Sequence, residues 1–392
     1  MHAQAQHIEQ AVRSHEEKLY VREHKVAMGQ LCGIEEATLE EICACDPAFF
    51  PKVWNLKRLL LLDTETTGLS GGAGTLAFEI GLGWFTEEGL TIRQIALRDY
   101  DQEKEMLGHL VDLLEGHDIL VTYNGKSFDI PLLESRLILN GWRRDLRKLP
   151  HLDLLHCCRR VYGLRLQRCA LKNMEEVILG KHRADDLPGA EAPGRFFDYL
   201  KTREFSLLQD VLSHNLEDVI SLAQITGHLC SVYRKPQTLQ CPEDLFGVAK
   251  MLEKAGKRLQ AKEAYRLLGY SKLCAEGHYR LARLHRQDAE WDEATALWRE
   301  MQRRSEGGIV PYLEIAKYYE HKLKDLPAAL SCAMDGLNVL LSEAALSADW
   351  NAQDAQALRH RIERLQRKIL VRQERRKDDG HSRESGRSAC GR

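Results

Sequence analysis

The spacing of apolar residues changes twice along this chain, and those changes divide it. Residues 1 to 50 are polar, with helix-like stretches at His7–Leu19 and Glu35–Ile42, and predict a helical N-terminal extension over 1–55. From Leu56 the apolar positions come as short runs between turns. Leu59–Leu62 predicts a strand, because so brief a run is too short for an ordinary helix, and Thr75–Phe85 and Leu90–Leu97 predict two further strands. Gly89 separates the second from the third, the signal of an antiparallel hairpin. Met106, Leu107, Leu110, Leu113 and Leu114 then recur on one face of a helix over Glu103–Glu115. Ile119–Tyr123 predicts another strand, and Asp129 opens a helix with Pro131 in its first turn. His151–Asp153 reads as a short extended or helical entry, and Ser206–Leu229 as a long helix that closes this region.

Beyond Pro242 the pattern is helical throughout, and it repeats. Ala249, Ala282 and Ala316 are spaced by 33 and 34 residues; Ala261, Ala294 and Ala328 each follow 12 residues later. Small residues at two such points let paired helices approach closely, and a period near 34 resembles tetratricopeptide repeats. Tyr265 and Trp298 recur four residues after the second alanine in the first two repeats. The expected order is a domain over 56–232, repeats over 242–345, a terminal helix over 346–377 and a disordered tail over 378–392. Stacked repeats present a concave surface, which predicts a protein partner or a support for a substrate strand.

Composition adds limits. A chain of 392 residues, 29% of them charged, has length for two or three domains and apolar content for real cores. Net charge is −2, so no global basic field marks a nucleic-acid partner, yet Arg364–Arg392 holds ten Lys/Arg against four Asp/Glu. No apolar segment approaches the roughly 18 residues of a membrane span, and no signal-peptide pattern opens the chain. Eleven cysteines lack any repeated metal-ligand spacing, which predicts free buried thiols in a reducing cytoplasm.

The candidate chemistry begins where Leu59–Leu62 delivers Asp63 and Glu65 at i and i+2, on one side of a strand, with Thr64 facing away. Two acids beside an apolar run repel each other and are costly to bury unless a cation neutralises them. Asp-x-Glu alone is weak and equally suits a strand ending at a solvated rim. Asp129 follows a second strand, where a simple helix cap is the bland alternative. His214 and Asp218 are four apart and share a helix face. Gly125-Lys126-Ser127 is not a phosphate-cradling loop, since Leu120 stands where that motif needs glycine.

Taken together, these acids resemble the three ordered motifs of the DEDD superfamily of 3′-5′ exonucleases, which have a ribonuclease H-like fold. Asp63-x-Glu65 is similar to the first motif, Asn124-x-x-x-Phe128-Asp129 to the second and His214-x-x-x-Asp218 to the third. Within that superfamily, Asn124–Asp129, His151–His156, Arg183 with Asp186–Gly189, and the following helical repeats resemble the bacterial YprB-type proteins. The resemblance implies an α/β domain, a mixed central sheet flanked by helices, followed by the all-α repeats. It also implies two Mg²⁺ or Mn²⁺ ions about 4 Å apart on Asp63, Glu65, Asp129 and Asp218. Asp63 would bridge both ions, His214 would be the general base, and Thr66, Asn124 and Lys126 would contact a DNA or RNA substrate. Asp153 is carried by the likeness without a role. One departure is specific: His214 stands at the spacing the superfamily gives to tyrosine, about 100° around the helix from its usual histidine. The alternatives are an inactive nuclease-fold adaptor that binds nucleic acid or protein through its repeats, and a phosphodiesterase or phosphatase on the same metals.

Overall fold

A single sheet of six strands organises the first part of the chain, in the order β1-β4-β3-β2-β5-β6. The structure is a computed structural model that describes residues 18–388 except 32, 35–36, 39–40, 42–43, 47–54, 69–73, 184–186, 270 and 347–351, with backbone alone for 343–346, 352 and 376–388. The expected helix at His7–Leu19 and the expected 389–392 end of the tail lie almost wholly outside the described residues. So do most of Glu35–Ile42 and most of the glycine-rich loop at 70–74. The chain divides into two units after Ala264.

Centrally, β2 (Leu59–Thr66) pairs antiparallel with β3 (Ala77–Phe85) and parallel with β5 (Ile119–Thr122). Outward from β3, β4 (Gly89–Ala96) forms the expected hairpin. Beyond β5, β6 (His151–Asp153) is parallel, which settles that segment as a strand. At the far edge β1 (Tyr20–Ala27) pairs antiparallel with β4. This corrects the expectation of a wholly helical N-terminal extension. The strand's sequence, Tyr-Val-Arg-Glu-His-Lys-Val-Ala, is charged and mostly exposed, as edge strands are, so it carries little apolar period.

The two faces of β2 meet different helices. Leu60 and Leu62 join Ile80, Leu82 and Leu120 in a core with Met106 and Leu110 of α1 (Glu103–Leu113) and Leu133 and Leu137 of α2 (Asp129–Leu139). Leu59, Leu60, Leu61 and Leu62 are all at most 1% exposed, so each side chain contributes about 1.5–3 kcal/mol by leaving water. The same core takes Phe196 and Tyr199 from α5 (Ala192–Thr202), which follows α3 (Leu154–Tyr162) and α4 (Leu171–Met174). Against the other face lies α6 (Gln209–Arg234). Its approach depends on Gly81 and Gly83 of β3: a Cβ at Gly81 would lie 2.2 Å from Asn215 Oδ1, and one at Gly83 2.8 Å from Val219. Helix α7 (Pro242–Lys254) packs on α3, where the backbone of Gly247 leaves room for Val161 O. It therefore belongs with the α/β unit, although the composition changes before it.

After α8 (Arg258–Arg266), the second unit is helical: α9 (Cys274–Gln287), α10 (Trp291–Arg303), α11 (Val310–Tyr318), α12 (Leu326–Leu346) and α13 (Ala352–Ser388). Neighbouring helices pack in sequence order. Ala282, Ala294 and Ala316 are fully buried at these contacts. In the last pair Ala329, not the expected Ala328, is the fully buried residue. A π-helical turn at Tyr319–Leu323 inserts an extra residue before α12 and accounts for the one-position slip. The expected end of the terminal helix at residue 377 falls inside α13. Among the described residues, no helix is long and apolar enough to cross a membrane.

Candidate active site

The acids converge at the end of β2 that follows its leucines. Asp63 and Glu65 point to the α6 face, where Asn215 donates from Nδ2 to Asp63 Oδ2 at 2.9 Å. His214 Nε2 lies 3.9 Å from Glu65 Oε1 and 3.5 Å from Asp218 Oδ2. Its position on α6 thus brings the ring between two of the acids, at the spacing that resembles the tyrosine form. A register shift between Glu65 and Thr66 interrupts the β2–β3 ladder here, a device that re-aims side chains at sheet ends.

Asp129 arrives from the opposite face. It opens α2, and Thr64, pointing away from Asp63 and Glu65, donates from Oγ1 to Asp129 Oδ1 at 2.5 Å. The loop before it is held by the fully buried Asp153, which accepts from the backbone N–H of Asn124 at 2.9 Å and of Lys126 at 3.1 Å. Asn124 adopts φ 66°, so the chain turns sharply between β5 and α2. Asp153 thereby gains a structural role: it fixes the turn that presents Asp129.

The electrostatics are those of acids short of positive charge. Burial pushes Asp63 well above the usual carboxylate range, and Asp218, Asp129 and Glu65 push it further against the opposing Asn215 bond. Burial first, then Asp218 and Asp129, raises Glu65 to about 8. Burial raises Asp129 to about 6 despite the Thr64 bond. Burial also raises Asp218, opposed by His214 and Arg183. Arg183 is the cation in contact: its Nη2 donates to Asp218 Oδ1 at 2.5 Å and also to the buried Glu175, while Nη1 lies 3.3 Å from His214 Nδ1. A fifth acid, Glu79, faces Glu65 across the ladder and is fully buried. Gln94 Nε2 donates to its Oε1 at 2.9 Å, and among the described residues Oε2 has no hydrogen-bond partner. Burial first, then Glu65, raises Glu79 well above the usual range.

These residues fit divalent cations by charge and by donor type, hard oxygen ligands on a site with too little compensation. Among the described residues, no three of these carboxylate and imidazole ligand atoms lie mutually within 4.8 Å. The arrangement suits ions that take one or two carboxylates each and keep several waters, as Mg²⁺ does.

Not every predicted residue joins the cluster. Thr66 Oγ1 donates to Gly68 O at 2.9 Å, and Lys126 Nζ lies 3.6 Å from Asp46 Oδ2. Asn124 lines a separate pocket with Tyr123 and Arg159. Thr64, Glu79, Glu175 and Arg183 enter the site without having been singled out for it. Glu79 reads only as one position in a strand, and Arg183 carries the YprB-type likeness but no assigned role. Asn215 had a signal, its place beside His214 in the third motif.

A mixed sheet with strand order β4-β3-β2-β5-β6 and acids gathered at the end of its central strand defines a ribonuclease H-like domain. Residues 60–230 match the RNase_H superfamily. The chain is 32% identical over 359 residues to the uncharacterized protein YprB of Bacillus subtilis (strain 168), covering 89% of this chain and 84% of that one. It belongs to this YprB-type family of the RNase H superfamily.

Proposed function

We propose that the site hydrolyses phosphodiester bonds as a metal-dependent 3′-5′ exonuclease acting on DNA or RNA. The observation that carries this reading is the convergence of Asp63, Glu65, Asp129 and Asp218, from two faces of one sheet, with His214 between two of them. The four carboxylates would hold two Mg²⁺ or Mn²⁺ ions. When bound, such ions supply Lewis-acid activation of water and stabilise the leaving oxygen. Asn215 orients Asp63, Thr64 orients Asp129, and Arg183 orients Asp218. His214 would take the proton from the attacking water, its ring held between Arg183 at Nδ1 and Asp218 at Nε2. A cleft of about 470 Å³ beside His214, lined also by Lys181, Arg183, Asp210 and Glu217, offers room for a phosphate-bearing end, with Lys181 paired to Glu217 at 2.6 Å.

The Arg183–Asp218 contact favours a second reading, an inactive adaptor in which an internal guanidinium replaces a metal and the helical unit binds a partner. A degradation assay separates the two. The protein is incubated with Mg²⁺ or Mn²⁺ and 5′-labelled single- and double-stranded DNA and RNA, alongside Asp63→Asn and Asp218→Asn. A ladder shortened from the 3′ end and lost in both variants is the expected result. Absence of metal-dependent cleavage on every substrate, from folded protein, would leave the adaptor.

A further inference from the structure

The second unit carries a group of side chains that the nuclease reading does not use. Cys274 and His278 lie one turn apart at the start of α9, and Glu306 lies in the turn after α10. Cys274 Sγ is 3.4 Å from both ring nitrogens of His278, and His278 Nδ1 is 3.4 Å from Glu306 Oε2. Among the described residues, these three form the group of Cys, His and acid whose ligand atoms all lie within 4.8 Å of one another.

We propose that Cys274, His278 and Glu306 form a binding site for Zn²⁺. Tetrahedral zinc, with bonds of about 2.3 Å to sulfur and about 2.0–2.1 Å to nitrogen and oxygen, sets its ligands about 3.3–3.6 Å apart. Two of the three edges already have that length. The remaining edge, sulfur to carboxylate, closes by rotation of Glu306. Thiolate with imidazole selects a borderline metal of the zinc class over Mg²⁺ or Mn²⁺, so this site differs in kind from the carboxylates of the first unit.

The backbone supports the placement. Glu306 N–H donates to Met301 O at 2.9 Å, and Ser305 and Gly307 on either side hold φ at 55° and 74°. Arg304 is the nearby charge that opposes a cation. Its Nη1 stands 3.8 Å from Cys274 Sγ and 4.0 Å from Glu306 Oε1, while its Nε donates to Glu300 Oε1 at 2.5 Å. Glu300 offsets part of that charge, since it also pairs with Arg303. A bound ion would staple the start of α9 to the turn after α10, closing their hairpin. Three protein ligands leave a fourth position for water or an external donor.

The test uses the full chain, stripped with chelator and titrated with Co²⁺ and then Zn²⁺. A near-ultraviolet sulfur-to-cobalt charge-transfer band, saturating at one equivalent and displaced by Zn²⁺, is the expected result; cobalt on carboxylates alone gives no such band. Cys274→Ser should abolish it. His278→Ala and Glu306→Gln should each weaken Zn²⁺ affinity by at least about tenfold, since even outer-shell losses cost that much. Zn²⁺ should raise the Tm of the parent chain but not of His278→Ala. A missing band, or one unchanged in Cys274→Ser, would overturn the assignment whatever the nuclease assay shows.

Discussion

Glu65 combines a role at the candidate site with a cost to the fold. Its folded pKa is raised, by burial first, from the ordinary 4.5 to about 8. A raised carboxyl pKa stabilises the fold below the unfolded value, and that contribution is lost as pH climbs through the folded one. Buried His151, pushed down to about 4 mainly by burial, works in the other direction but has finished doing so above about pH 6.5. Between about pH 6.5 and 8, then, the metal-free protein should lose about 1–2 kcal/mol as Glu65 ionises. Thermal melts in EDTA would read this as a falling Tm, flattened in Glu65→Gln and reversed by Mn²⁺. A level or rising profile for the parent would contradict the picture of under-compensated acids. His214 belongs to the same scale. If it moves the proton, His214→Ala should lower kcat by about 10²–10⁴ with little change in KM. A lowered affinity with kcat intact would make His214 a substrate contact instead.

At the scale of elements, the contact of α6 with β3 decides whether the two halves of the site meet. Gly81 has no side chain because Asn215 occupies its place, and Asn215 is the donor that holds Asp63. Gly81→Ala should therefore displace α6, lowering stability by about 1–3 kcal/mol and weakening divalent-metal affinity together. Calorimetry with and without Mn²⁺ checks both; a variant with the parent's metal affinity would show that α6 need not lie so close. The strands β2 to β5 were legible because each is a buried apolar run bounded by turns. The acids Asp63, Glu65, Asp129 and Asp218 were legible because their order and spacing are local properties. Glu79 was not, and Arg183 was visible only as part of the family likeness, since their roles come from a cross-strand neighbour and from a loop folding back onto α6. β1 escaped because an edge strand rich in charge carries little apolar alternation. The slip from Ala328 to Ala329 escaped because a π turn leaves no mark in the spacing of alanines.

At the scale of the whole molecule, the net charge of −2 conceals a basic surface. On α13, Arg364, Arg367, Lys368, Arg372 and Arg375 line one groove with Leu326 and Val371. Part of that charge is answered internally, because the buried Glu320 accepts from Arg361, Arg364 and Lys368. Among the described residues, Arg367, Arg372 and Arg375 are in no ion pair with an acid; Arg372 Nη1 donates to Lys324 O at 3.1 Å, and all three line the groove, where phosphates would find them. If a nucleic-acid strand follows this face, each contact releases counterions, and affinity falls with salt by about 0.7 in log–log slope per phosphate on single strands. In an Asp63→Asn background, Arg367→Ala with Arg372→Ala and Arg375→Ala should reduce the slope by about 2 and weaken all sequences alike. Fluorescence anisotropy of a labelled oligonucleotide across a salt series measures both. An unchanged slope would confine nucleic-acid binding to the α/β unit, and the groove on α13 would then be free for a protein partner with acidic residues.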